Sequence, residues 1–334
     1  MPAGGRAFRP LYATAPPANF ASCRGTPPRT HPSIHHAPAP EPAVDVEAAI
    51  RTLEASGDYR VLRRFRPARS YGTPLGEVRQ ALAVDTETTG LEPASDLIIE
   101  FAAVRFSFCS LTGAIVEVEE AVSWLEDPGR PIPRAVTELT GITDAMVAGR
   151  RIDDAAVAAL AAPCVLVIAH NASFDRKFID RRLPMLGERP WGCSLNDVPW
   201  RDGGGSARAL DYLLIRHCGM FFDAHRAGAD CEAMVRLLAT PLPDGRLPMR
   251  LLLDAAARPM VRVWAVGAPF DQKDLLRARR YRWNPGTDGR PKAWFRELAE
   301  DQRAAEEEWL FTQVYGRRVE LKVEPLTAAR RFAD

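Results

Sequence analysis

The chain has 334 residues, 46% of them hydrophobic, and its 44 basic and 43 acidic side chains leave a formal net charge of +1. That size and apolar content allow one large domain with a smaller one beside it. The near-zero charge excludes attraction of nucleic acid by the whole surface, so any such binding has to come from local patches. No apolar run approaches the ~18 residues a membrane helix needs, and the six scattered cysteines form no CxxC pair. The cysteine pattern argues against a disulfide framework or a zinc ribbon and points to a reducing cytoplasm.

Residues 1–40 hold no Asp or Glu and are rich in Pro and Ala. Such a stretch cannot bury enough apolar area to order itself, so residues 1–43 are expected to be a disordered tail. An organelle-type presequence and an extension upstream of the true start codon suit the composition too, although the dense prolines would break a presequence helix. Residues 44–78 read as a small helix–strand adaptor, with an amphipathic helix ending at Gly57 and a basic strand-like run from Tyr59 to Phe65. Strands follow at Ala81–Thr86, Leu97–Phe106 and Ala114–Val118, the last two joined by a turn at Thr112-Gly113. Helices are predicted over 133–139 and 153–161. A buried strand from Cys164 to His170 feeds a helix over 172–182, and two more helices run over 207–218 and 227–239. A strand meander followed by alternating strands and helices predicts an α/β domain with a mixed sheet. Pro241-Leu-Pro-Asp-Gly245 marks its end. A small α+β module is expected over 258–312, with strands near Val261, Tyr281 and Pro291 and helices over 272–280 and 302–311, and then a tail over 313–334.

Three short segments carry the chemistry. In Ala-Val-Asp85-Thr-Glu87-Thr-Thr-Gly90 the two acids sit two apart at a strand end, so both carboxylates leave the same face. Two carboxylates held together repel and lose solvation unless a cation neutralises them, which is what a hard divalent metal site provides for. Read alone, the pair is equally a solvated Asp-x-Glu on a turn. In His170-Asn171-Ala-Ser-Phe174-Asp175, Asn171 is placed to cap the next helix. Asp175 then falls in that helix's first turn, where an acid can simply complement the dipole. In His225-Arg-Ala-Gly-Ala-Asp230, residues five apart on one helix would not share a face, since each step turns ~100°. They converge only if His225 lies in the loop before the helix, a lead-in that Gly228 makes easy.

Taken together, Asp-x-Glu on a first strand, an Asp after an apolar strand and His-x4-Asp at a late helix resemble the DEDDh 3′→5′ exonucleases. That family includes the epsilon subunit of DNA polymerase III, ribonuclease T and oligoribonuclease. Glu138-Leu-Thr-Gly141-Ile-Thr-Asp144 and Leu210-Asp-Tyr-Leu213 look like further family segments, and the fit defines an exonuclease domain over 79–242. The resemblance implies a ribonuclease-H-like fold and two Mg²⁺ or Mn²⁺ ions ~4 Å apart at the scissile phosphate. It implies that Asp85 bridges both ions, that Glu87 and Asp230 complete one site, and that Asp175 holds the other largely through water. His225 is then the general base, and nucleoside 5′-monophosphates are the products. It further implies that the backbone of Thr88 and Thr89 meets the 3′-hydroxyl, that Leu91 packs on the terminal base, and that Asn171 and Phe174 line the strand path. Core packing is an equal reading for Phe174. Gly228 stands where many relatives carry a larger apolar residue.

The 258–312 module mixes cations with Tyr281, Trp283, Trp294 and Phe295, the composition of a single-strand stacking platform. A unit of that size also needs its aromatics for a core. Arg280, Arg282, Trp283, Lys292 and Trp294 are its candidate nucleic-acid contacts. The expected partners are nucleic acid, chiefly single-stranded 3′ ends, and a replication or repair protein, with no membrane. DNA is the favoured substrate. RNA hydrolysis by the same residues and a non-catalytic, polymerase-associated binding role are the competing readings.

Overall fold

The computed structural model describes residues 45–200 and 208–333. The tail expected over 1–43 lies outside them. The chain divides into two units, 1–52 and 53–334. The described part of the first is the start of the amphipathic helix Val46–Ala55, which has no buried residue. No described helix is long and apolar enough to cross a membrane.

In the second unit, Val78–Thr88 is the central strand of a mixed sheet. It pairs antiparallel with Ile98–Cys109, which in turn takes Ile115–Val118 and Val122–Leu125 as antiparallel partners. On its other side lie the parallel strands Cys164–Ala169 and Trp191–Cys193. This is the mixed sheet predicted from the order of strands and helices, and it agrees with the ribonuclease-H-like fold that the family resemblance implies. Alternation along the central strand divides the core. Ala81 and Ala83 pack with Met234, Val235 and Leu238 of helix Ala227–Ala239. Leu82 and Val84 pack with Phe178 and Ile179 of helix Ala172–Arg182 on the opposite face. Each helix thus delivers its first turn to the end of the same strand.

Two stretches depart from the expected boundaries. Beyond the Pro241–Gly245 turn, helix Pro248–Ala257 returns to the core of the larger sheet through Met249 and Leu252, both fully buried. Residues 313–333, expected as a tail, supply strand Lys322–Leu326 to a four-stranded antiparallel sheet with Met260–Ala265, Ala293–Ala299 and Arg282–Asn284. Pro325 conceals this strand in the sequence, and it is tolerated because the strand lies at a sheet edge. The chain then reaches back to the edge of the larger sheet. Trp191 N–H donates to the Ala328 carbonyl at 3.0 Å. Arg176 donates to the carbonyls of Ala329 and Arg331, and Arg331 pairs with Asp197 with both side chains under 10% exposed.

Candidate active site

Asp85 and Glu87 continue the Ala81/Ala83 side of the central strand, towards the helix that carries Asp230. Their carboxylates and that of Asp230 each offer an oxygen, all within 4.8 Å of one another. Immediately past Glu87 the pairing with Ile98–Cys109 shifts register, the irregularity by which a strand re-aims its end. Thr86 takes the other face, and there it holds Asp175. Asp175 Oδ1 accepts from Thr86 N at 3.1 Å and from Thr86 Oγ1 at 2.8 Å, with the residue only 3% exposed. Asp175 therefore stands beside the three-acid group, fixed by the residue between Asp85 and Glu87.

Asn171 does occupy the N-cap of helix Ala172–Arg182, but it does not cap it with its side chain. It adopts the left-handed conformation (φ 70°), and its Oδ1 accepts from Ser173 Oγ instead. The backbone there has to turn sharply out of strand Cys164–Ala169, a geometry Asn tolerates better than most residues. His225 lies outside the helix, as convergence with Asp230 required. The helix begins at Ala227, and His225 is exposed in the left-handed region at φ 69°. Its backbone N–H and ring both favour the charged form of Asp230. Gly228 serves a different purpose from a flexible lead-in. It is helical, and a Cβ at that position would lie 2.8 Å from Ser123 Oγ, so its absence lets the helix start approach strand Val122–Leu125.

Sequence reading missed Glu100. It lies opposite Glu87 in the strand register and is 1% exposed. Its carboxylate accepts from Arg226 Nε (3.1 Å), Arg226 Nη2 (2.9 Å) and Ala227 N (3.1 Å). Arg226 N in turn donates to Asp230 Oδ2 at 3.1 Å. Glu100 thus anchors the N-terminus of the Asp230 helix and the residue after His225. An acid inside the apolar run Ile98-Ile-Glu-Phe-Ala could have flagged it, because a buried charge needs a partner.

The loop that follows is held by Asp96, which accepts from Thr89 Oγ1 (3.0 Å), Glu92 N (2.9 Å) and Arg130 (3.1 Å). Gly90 lies so close that a Cβ there would come within 2.4 Å of the Asp96 carboxylate. Thr88 Oγ1 donates to the Gly90 carbonyl, and Thr89 N–H is already committed to the Leu97 carbonyl at 2.8 Å. Leu91 projects 83% exposed. Phe174 packs its ring 5.1 Å from Phe178. Arg280, Arg282, Trp283, Lys292 and Trp294 belong to the smaller sheet and its loops rather than to the acidic group.

Crowding of like charge dominates the electrostatics. Burial, and then the charges of Asp175, Asp230 and Glu87, hold Asp85 well above the usual carboxylate range. Burial, followed by Asp230 and Glu100, pushes Glu87 up to about 8. Burial lifts Asp175 to about 7 against the hydrogen bonds from Thr86, and Asp230 to about 6. Oxygen ligands this close, partly buried and costly to ionise without a counter-charge fit a divalent cation.

The family model described as Exonuclease, of the RNase T type, matches residues 82–238. A DNA polymerase III subunit epsilon-like protein of Rhodobacter capsulatus is 38% identical over 140 residues, covering 39% of this chain and 18% of that protein. The PolC-type DNA polymerase III of Clostridium perfringens is 32% identical over 165 residues, covering 46% of this chain and 10% of that protein. The chain thus spans less than a fifth of either relative. Among solved structures, exonuclease X in complex with 5′-overhanging duplex DNA is 26% identical with a TM-score of 0.37, covering 53% of this chain and 99% of that one. The family match over residues 82–238, with the mixed sheet and the acidic centre that these residues form, marks this part of the chain as an exonuclease domain of the DEDDh type.

Proposed function

We propose that the chain is a 3′→5′ exonuclease that hydrolyses phosphodiester bonds from the 3′ end of nucleic acid and releases nucleoside 5′-monophosphates. The observation that carries this reading is the convergence of Asp85, Glu87 and Asp230 within 4.8 Å beside buried Asp175, with exposed His225 at the rim. Asp85, Glu87 and Asp230 would hold one Mg²⁺ or Mn²⁺ ion, and Asp85 with Asp175 a second. Such ions would supply a lowered pKa for water and stabilisation of charge on the phosphate and the leaving 3′-oxygen. His225 takes the proton of the attacking water, a role its solvent-facing position and near-neutral intrinsic pKa suit. Thr86 keeps Asp175 oriented, while Glu100 and Arg226 keep His225 and Asp230 in register. Leu91, exposed in the Asp96-braced loop, meets the terminal base, the Thr88–Thr89 backbone meets the terminal 3′-hydroxyl, and Asn171 and Phe174 line the strand path.

DNA is the favoured substrate, because the relatives from Rhodobacter capsulatus and Clostridium perfringens are described as DNA polymerase III proteins. A replication or repair complex is the corresponding setting. The described cysteines stand free, most of them buried, which suits a reducing cytoplasm. The test is purified protein with Mg²⁺ or Mn²⁺ on end-labelled single- and double-stranded DNA and RNA, with Asp85→Ala and His225→Ala as controls. Stepwise release of 5′-mononucleotides that Asp85→Ala abolishes is the expected result. Release from none of the substrates, or release unaffected by Asp85→Ala, contradicts it.

A further inference from the structure

The core of the small sheet accounts for most of its aromatic residues but not all. Tyr281 is buried with Leu276, Leu298, Leu310 and Val314, and Trp264 and Phe295 are buried on the other face. Phe270 is 76% exposed and Trp283 is 48% exposed. Phe270 opens the turn into helix Lys273–Ala278, and Lys273 Nζ lies 4.2 Å from the centre of its ring. Lys273 and Arg277 are four apart and so share a side of that helix. The Arg277 guanidinium lies 5.5 Å from the Trp294 ring, and Trp294 meets Trp283 edge to face at 5.5 Å. Trp283 belongs to Arg282–Asn284, the edge strand opposite Lys322–Leu326. Phe270, Lys273, Arg277, Trp294 and Trp283 therefore form one continuous row, in which each cation lies against an aromatic face. Residues 273–282 hold five basic side chains and one acid, Asp274, which sits 3.4 Å from Arg277.

We propose that this row binds single-stranded nucleic acid, with bases stacked on Phe270 and Trp283 and phosphates paired with Lys273 and Arg277. Exposed π faces alternating with cations are what a base-stacking, sequence-tolerant surface requires. The centre of a protein–protein interface is instead depleted of Lys, so the alternation favours a polyanion with flat rings over a protein partner. The inference rests on the exonuclease reading and extends it. The row belongs to the small sheet and the acids to the end of the larger one, so the row is expected to act on the body of a long strand and not on a dinucleotide.

Point variants are the appropriate test, because deletion past residue 250 also removes Leu252 and the Arg331 contacts from the larger core. The full chain carrying Phe270→Ala/Trp283→Ala, or Lys273→Gln/Arg277→Gln, is compared with the parent. Binding of a 20-nucleotide oligo(dT) is measured by fluorescence anisotropy in EDTA over a range of salt, and hydrolysis of that oligomer and of a dinucleotide is measured with Mn²⁺. Each double variant is expected to lose about tenfold or more in oligomer affinity, the aromatic pair through the stacking of one or two bases and the charge pair through two phosphate contacts. The charge pair is expected to lower the salt slope by about 1.4, or ~0.7 per phosphate contact, and dinucleotide hydrolysis is expected to stay at the parent rate. Parental oligomer affinity and salt slope in both variants overturn the proposal. If the parent cleaves neither substrate, the exonuclease reading fails, while the anisotropy result still decides whether the row binds a strand.

Discussion

Asp85 and Glu87 gain their meaning from what the other elements bring to them. Two acids on a strand end are compatible with a solvated turn. Asp230 within 4.8 Å and Asp175 locked on Thr86 are not. Removing His225 as His225→Ala is expected to lower kcat by about 10²–10⁴-fold, the usual contribution of a general base, with the protein still folded because the residue is exposed. Glu100→Gln keeps the shape of a side chain outside the acidic group but loses its charge against Arg226. A loss of about 10–100-fold in kcat with little change in KM is expected, by analogy with groups that orient metal ligands. Activity equal to the parent would assign Glu100 to packing alone.

The raised acids also predict a pH dependence with a definite sign. Glu87 ordinarily titrates near 4.5 and is held at about 8 in the folded chain, with Asp175 at about 7 and Asp230 at about 6. Between those limits the folded state binds more protons than the unfolded state, so stability falls as pH rises from about 4.5 to about 8. In EDTA the Tm is therefore expected to drop across this window. Mn²⁺ should restore it at pH 8 far more than at pH 5. A Tm in EDTA that is flat or rising over the window would contradict the crowding of charge described here.

At the scale of elements, the C-terminal segment is a brace. Arg176 follows Asp175 directly and donates to the carbonyls of Ala329 and Arg331, so the helix that positions Asp175 is tied to the end of the chain. Arg331→Ala leaves Asp197 buried without its partner and is expected to cost about 3–5 kcal/mol in denaturant unfolding. A cost below about 0.5 kcal/mol, the range of ordinary surface substitutions, would make the contact incidental. None of this was legible in the sequence. A five-residue strand containing Pro325 shows no strand signature, and the Arg331–Asp197 pair joins residues 134 positions apart. By contrast, helices Ala172–Arg182 and Ala227–Ala239 were readable to the residue. Each follows an unambiguous break, and each buries an apolar stripe of helical period. Local chemistry was less legible than the element that bears it. Asn171 was placed at the right cap with the wrong bond, and Gly228 in the right segment for a different reason. For Gly228 the distant strand Val122–Leu125 decides the geometry, and one sequence window does not contain it; for Asn171 the sharp turn out of strand Cys164–Ala169 decides it.

At the scale of the molecule, a near-neutral chain carries two local groups of charged side chains that differ in sign. Four acids and Glu100 surround the end of the central strand, and a cation–aromatic row lies on the smaller sheet. Such separation permits cation-dependent chemistry at one place and strand binding at the other, with the brace holding the larger sheet and the chain end together. The most direct measurement of the central claim uses a 5′-labelled single-stranded 20-mer incubated with enzyme in EDTA and then supplied with Mn²⁺. The parent and Asp85→Asn are followed on a sequencing gel. The account predicts no cleavage in EDTA, a ladder shortening from the 3′ end once Mn²⁺ is added, and an intact oligomer with Asp85→Asn. Shortening in EDTA, or an equal ladder from Asp85→Asn, would contradict it.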